Sequence, residues 1–163
     1  MEAGHIQLKK EDIAVEPYVE RIMRKFGRVA EESEINLNLE KNLQTAYSRF
    51  DPDRIEQVFT NLIDNAIRHT DKGGYVKVKI DNHGNKFRAS VKDSGSGIPQ
   101  EDLAFVFERF YKADKSRKRD GKKKGTGLGL SIAKNIIDAH RGMITVKSKL
   151  DEGTTFYFEI PDN

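Results

Sequence analysis

Residues 51–68 constrain the fold more tightly than any other stretch of this chain. Asp51 offers an N-terminal cap and Pro52 a first-turn residue; behind them Ile55, Val58, Phe59, Leu62, Ile63, Ala66 and Ile67 recur at helical spacing. A helix with so continuous an apolar stripe must lie on another apolar surface. The sequence supplies one. Val76, Val78 and Ile80, a turn at His83-Gly84-Asn85, then Phe87, Ala89 and Val91 alternate with a period of two, which predicts a β-hairpin. A second hairpin is predicted from Ile144 and Val146, through Asp151-Glu152-Gly153, to Phe156, Phe158 and Ile160.

Two further helices are expected. Val19, Ile22, Met23, Phe26, Val29 and Ala30, with Pro17 near the start, predict an amphipathic helix over 17–31. Another runs from Gly127 to His140, closed by Arg141-Gly142, with His140 expected as a cation at the helix C-terminus. Ile35, Leu37 and Leu39 alternate as a strand, and Gln44 to Ser48 is expected to pair with it. Helices and strands do not alternate strictly, which argues against a doubly wound parallel sheet. The expected fold is α+β: a two-layer α/β sandwich with a mixed, mostly antiparallel sheet and helices on one face.

At 163 residues the chain has room for one ordinary domain with a short extra segment. It has no cysteine, which removes disulfides, thiolate nucleophiles and Cys-based zinc sites together. No apolar run approaches the roughly 20 residues of a membrane span, and the polar start predicts no secretory signal. Net charge is +3, yet residues 112–124 hold eight Lys/Arg against Asp114 and Asp120, so the remainder of the chain is net negative. Nucleic-acid binders usually interleave such charge with stacking aromatics or carry it on a helix face. Here it lies in a Gly-containing, apolar-poor stretch, which reads as a cationic loop.

Three constellations carry chemistry. At about 100° per residue, Asn61, Asn65 and Arg68 fall within a band of about 60° beside the apolar stripe. Carboxamide oxygens are hard, neutral ligands suited to Mg²⁺ that already holds phosphate and water, and a guanidinium can pair with phosphate oxygens. At the end of the strand through Val91 comes Asp93-Ser94-Gly95-Ser96-Gly97-Ile98-Pro99. Its glycines allow a tight turn and a flat ligand against the backbone, and the Asp can accept a hydrogen bond from an exocyclic amine. Finally, Gly125-Thr126-Gly127-Leu128-Gly129-Leu130 opens the third helix, where free N–H groups and the helix dipole favour an anion. This run is neither a Walker A loop nor GxGxxG. Phe107, Phe110 and Tyr111 lie between the two glycine runs, either as pocket walls or as core.

In this order, Asn61-Leu62-Ile63-Asp64-Asn65-Ala66, Asp93-Ser94-Gly95-Ser96-Gly97, Phe107-Glu108-Arg109-Phe110 and Gly125-Thr126-Gly127-Leu128-Gly129-Leu130 resemble the N, G1, F and G2 boxes of sensor histidine kinases. The resemblance covers residues 35 to 160. It implies the ATP-binding catalytic domain of a two-component sensor kinase with the Bergerat fold shared by gyrase-, Hsp90- and MutL-type ATPases. By the same resemblance ATP and Mg²⁺ are the cofactors. Asn65 would be the chief metal ligand with Asn61 close by, and Arg68, His69, Tyr111 and Lys112 would approach phosphates or ribose. Asp93 would bind the adenine amino group, Gly95, Gly97 and Ile98 would line the base, and Gly125 to Leu130 would close over the phosphates. ATP-hydrolysing relatives carry a Glu one turn before the metal-binding Asn. Asn61 stands there and cannot act as a general base, which favours phosphoryl transfer with Asn61, Asn65 and Lys112 as the catalytic set.

The resemblance implies residues 1–14 as the end of a dimerisation helix and linker, and 15–163 as the catalytic domain with a lid at about 112–126. None of His5, His69, His83 or His140 has the surroundings of a phosphoacceptor. The expected partners are therefore a dimerisation domain and a response regulator, with no nucleic acid, and with membrane contact only through parts outside this sequence. The fragment is expected to be a monomer in the cytoplasm, part of a membrane-anchored bacterial kinase. Two alternatives differ in class: a stand-alone nucleotide-binding regulator or Ser/Thr kinase of the same fold, and a nucleic-acid module using the basic loop.

Overall fold

The computed structural model describes residues 6–108 and 129–162. Residues 6–10 have no regular structure. Strand β1 (Glu11–Ala14) leads into α1 (Val15–Glu32), which buries Val15, Tyr18, Val19, Ile22 and Ala30 on one side. After β2 (Asn36–Leu43) and β3 (Tyr47–Phe50), Asp51 caps α2 (Pro52–Arg68), its side chain accepting from the N–H groups of Asp53 and Arg54. All seven apolar residues of the predicted stripe are buried. The first hairpin is β4 (Tyr75–His83) and β5 (Lys86–Asp93), turning through Gly84 and Asn85, both at positive φ. A 3-10 turn (Gln100–Phe105) that the sequence pattern did not predict precedes Val106. Helix α3 (Gly129–Ala139) and the second hairpin, β6 (Met143–Lys149) with β7 (Gly153–Pro161), complete the chain. Among the described residues no helix is long and apolar enough to cross a membrane.

The main sheet has the order β2-β4-β5-β7-β6; β2 and β4 are parallel and every other neighbouring pair is antiparallel. Its inner face carries Val76, Val78, Ile80, Phe87, Ala89, Val91, Phe156, Phe158 and Ile160 under the helices. Phe59 of α2 meets Phe158 edge-on at 5.4 Å, and Phe50 and Phe87 extend the aromatic cluster to Tyr18 of α1. Each such ring contributes about 1.5–3 kcal/mol by leaving water. The outer face is polar: Arg88 and Lys86 pair with Glu159, and Lys77 and Lys79 flank Glu40. The α+β sandwich with helices on one face is therefore the observed architecture.

Three expectations need correction. The segment after β2 does not fold back on it. Buried Asn82 accepts from the N–H groups of Gln44 and Thr45 and donates to the Thr45 carbonyl and Ser48 Oγ, turning the chain away. β3 consequently pairs with β1, and β2 finds β4 in parallel. His140 does sit at the end of α3, but as a buried neutral ring. Burial lowers its pKa, Nδ1 lies 2.9 Å from the Ile136 carbonyl, and Nε2 accepts from the Asp51 N–H at 3.2 Å. Glu11–Ala14, assigned by the resemblance to a linker, is a strand of the folded unit, and Ile6 and Ile13 pack against its core.

Candidate functional site

The second half of α2 organises the candidate site. Its apolar stripe is buried from Ile55 to Ile67; from Asn61 onward the polar edge of the helix carries the residues singled out by spacing. Asn61 Nδ2 donates to the Gly129 carbonyl at 3.0 Å, which ties the middle of α2 to the first residue of α3. One turn later Asn65 is half-buried, and its side chain makes no hydrogen bond with the described residues. Arg68 pairs with Asp64 at 2.9 Å, and His69 is the C-terminal cap residue.

The first glycine run rests on the end of that helix. Asp93, the last residue of β5, is almost wholly buried, and its Oδ1 accepts the Gly95 N–H at 2.8 Å. A Cβ on Gly95 would collide with the His69 carbonyl, so only glycine lets the loop approach α2 so closely. Gly97 has φ +81°, and a Cβ there would strike the Lys149 carbonyl. On the other side the loop is held by the β6–β7 hairpin: Ile98 N–H donates to Ser148 Oγ at 2.7 Å and Asp151 N–H to the Ser96 carbonyl at 2.7 Å. Phe107 packs edge-on against Phe156 at 5.9 Å, which makes it part of the core margin. Leu130, in the first turn of α3, also packs against the core.

One helix thus touches both regions: His69 lies against Gly95, and Asn61 is bonded to Gly129. The helix that carries Asn61 and Asn65 therefore meets the turn after Asp93 at its C-terminal end and the start of α3 at its middle. Phe110, Tyr111, Lys112, Gly125, Thr126, Gly127 and Leu128, with the basic run 112–124, lie outside the described residues.

Sequence reasoning overlooked two hydroxyls here. Thr154 is buried, stands opposite Asp93 in the β5–β7 register, and lies 2.8 Å from Ser148 through their side-chain oxygens. The signal was present: Thr154 shares the parity of Phe156, Phe158 and Ile160, and Ser148 that of Ile144 and Val146. A hydroxyl in an apolar row is buried with a partner or for a ligand. Among the described residues no three His, Asp or Glu side chains cluster to hold a metal.

This fold, with a buried Asp on a glycine turn and carboxamides on an adjoining helix, accompanies a sequence match to a class of ATPases. Residues 50–163 match the model of the histidine kinase-, DNA gyrase B- and HSP90-like ATPases, and the chain belongs to that family. It is 39% identical over 161 residues to the sensor protein SrrB of Staphylococcus aureus, covering 99% of this chain and 27% of that protein. The chain therefore spans about a quarter of the length of its curated relatives. Among solved structures it resembles the nucleotide-free catalytic domain of the histidine kinase ThkA, with TM-score 0.82 and 31% identity over 95% of this chain and 99% of that one. It also resembles ThkA in complex with the response regulator protein TrrA, with TM-score 0.79 and 29% identity, covering 96% of this chain and 42% of that one.

Proposed function

We propose that this domain holds Mg·ATP between the second half of α2, the Asp93–Ile98 loop and the start of α3, and passes the γ-phosphoryl group to a histidine on a dimerisation domain. The observation that supports the reading is the double contact of α2, through its cap residue His69 with Gly95 and through Asn61 with Gly129. Asp93 accepts from the adenine amine, and Gly95 and Gly97 let the base lie against the backbone. The donor chemistry fits the metal, since Asn65 offers a hard, neutral oxygen with no competing bond among the described residues. Bound Mg²⁺ neutralises phosphate charge as the phosphoryl group moves.

Asn61 has no carboxylate to activate water, and its amide nitrogen is engaged with Gly129. Both features favour transfer over hydrolysis. Arg68 and His69, and outside the described residues Tyr111, Lys112 and the run 125–128, complete the contacts to ribose and phosphates. A response regulator then takes the phosphoryl group, a relay supported by the ThkA–TrrA complex. The whole protein is a bacterial sensor kinase whose remaining parts supply the phosphoacceptor, the sensor and any membrane anchor. In that protein, residues 6–14 are the entry into this domain.

Calorimetry with ATP, with and without Mg²⁺, on wild type, Asp93→Ala and Asn65→Ala tests this reading. Wild type binds Mg·ATP, Asp93→Ala loses ATP under either condition, and Asn65→Ala loses the gain due to Mg²⁺. Unchanged binding in both variants overturns the assignment.

A further inference from the structure

Ser148 is the meeting point of bonds around the loop that follows β5. Its Oγ accepts the Ile98 N–H at 2.7 Å, donates toward the Gly153 carbonyl at 3.1 Å, and lies 2.8 Å from Thr154 Oγ1. Its own carbonyl accepts from Gln100 Nε2 at 3.2 Å. Ile98 lies at the far end of the turn that Asp93 begins, and Thr154 faces Asp93 across the β5–β7 ladder. One hydroxyl is therefore bonded to Ile98 at the far end of the loop and to Thr154, the register partner of Asp93 at its near end.

The near end of the loop is fixed to the sheet, with Ser94 N–H donating to the Tyr75 carbonyl at 3.1 Å, Ser94 Oγ accepting the Tyr75 N–H at 2.9 Å and Asp93 Oδ1 accepting the Gly95 N–H, and its far end depends on the second hairpin. Gly95 and Gly97 give it no side chains to pack, Ser96 is exposed, and Gly97 sits at positive φ against the Lys149 carbonyl. Glycine-rich segments lose the most conformational entropy on ordering, so each fixed bond has a large effect on the placement of the residues between them. The two bonds from the second hairpin, Ser148 to Ile98 and Asp151 N–H to the Ser96 carbonyl, come from either side of the β6–β7 turn. Only the first depends on a side chain that substitution can remove.

We infer that Ser148 is a positioning residue that sets how the Asp93–Ile98 loop meets the purine base, and so determines selectivity for a base bearing an exocyclic amine. The inference rests on the ATP-binding reading above and adds a residue on a different strand that touches no nucleotide itself. With the Ser148 hydroxyl present, the carboxylate of Asp93 is held where it accepts from the 6-amino group and repels a 6-oxo group. Without it the Ile98 N–H loses its acceptor, the turn gains freedom, and the carboxylate no longer discriminates.

Displacement of a fluorescent ATP analogue by ATP and by inosine triphosphate, with Mg²⁺, tests this on wild type, Ser148→Ala, Ser148→Thr and Asp93→Ala. Ser148→Ala is expected to weaken ATP about tenfold and leave inosine triphosphate within twofold, while Ser148→Thr, which keeps the hydroxyl, restores the preference. Equal weakening of both nucleotides, or none for either, in Ser148→Ala overturns the inference. Asp93→Ala separates the two readings: if it keeps the full ATP preference, the nucleotide assignment itself fails; if it loses the preference while Ser148→Ala keeps it, only the role of Ser148 fails.

Discussion

The two halves of α2 share one buried stripe and differ in how their polar residues are engaged. The first half is bound on every side: Asp51 caps it and also accepts the Lys9 N–H, His140 accepts the Asp51 N–H, Tyr18 donates to the Pro52 carbonyl, and Glu56 pairs with Arg21 and Lys25 of α1. The second half bears Asn61, whose one described side-chain bond reaches α3, and Asn65, which has none with the described residues. Helix order is thus secured upstream, so the downstream residues can be chosen for chemistry. Buried polar groups without protein partners persist where a ligand supplies them.

Leu62, Ile63, Ala66 and Ile67 keep the second half in the core as well, so it is substitutions on its polar edge that should cost binding and not stability. Asn65→Ala is the sharpest case. It removes a polar side chain from a half-buried position and places a better helix former there. Affinity for Mg·ATP is expected to fall by at least about a hundredfold, equivalent to about 2.7 kcal/mol. The melting temperature without nucleotide should stay within about 2 °C. Calorimetry and thermal melts on the same samples decide it; a large drop in stability would mean that both halves are structural.

The opposite pattern is expected upstream. Asp51→Ala strips the cap from α2 and leaves the N–H groups of Lys9, Asp53 and Arg54 without their acceptor. The cost is about 2 kcal/mol, which lowers the melting temperature by about 4–8 °C in a domain of this size. Nucleotide affinity, measured well below the transition, should change less than about threefold. A loss of binding as large as that in Asn65→Ala would erase the distinction between the halves.

Both duties of α2 were visible in the sequence because helical period speaks for itself: Asp51-Pro52, the apolar stripe and the Asn61/Asn65 edge each follow from spacing. What spacing does not carry is which strand finds which. β1 is four residues long, and its Glu11 and Asp12 are exposed, so it has no alternating signature. The parallel pairing of β2 depends on Asn82, 38 residues beyond Gln44, bending away the chain that follows the end of β2 at Leu43. The neutral state of His140 was hidden for a related reason. Its position at a helix end is local, whereas its burial under Asp51 comes from the far side of the fold.

That buried histidine gives the first half of α2 a pH dependence. Desolvation lowers its folded pKa, aided by Lys10 and opposed by the Ile136 carbonyl and Asp51. The unfolded chain therefore binds the proton more readily. The stabilising contribution is complete above the unfolded value of about 6.5 and is lost as pH falls toward the folded value, at up to about 1.4 kcal/mol per pH unit for one proton. Protonation also removes Nε2 as acceptor for the Asp51 N–H. Thermal melts from pH 8 to pH 5 should fall below about pH 6.5, and His140→Gln should flatten that part of the curve. An unchanged slope in the variant would show that His140 does not control the N-terminal anchor of the helix.

The smallest effect is expected at Glu56, although it has the most conspicuous ion pairs in the first half. Arg21 reaches it at 2.9 Å and Lys25 pairs with it as well, and the hydrogen bond from Arg21 is the leading cause that holds its carboxyl below the usual range. Both cations are about half exposed, so water and salt screen the attraction. Glu56→Gln should cost less than about 1 kcal/mol, against about 2 kcal/mol for the cap at Asp51. Because the folded pKa is depressed, the contribution is present above the unfolded carboxylate value and is lost as pH falls through the folded one. The difference between Glu56→Gln and wild type in thermal melts at pH 7 should accordingly shrink in 1 M salt and again near pH 3. A Glu56 effect equal to that of Asp51 and insensitive to salt would move the anchor of α2 from its backbone cap to its surface charges.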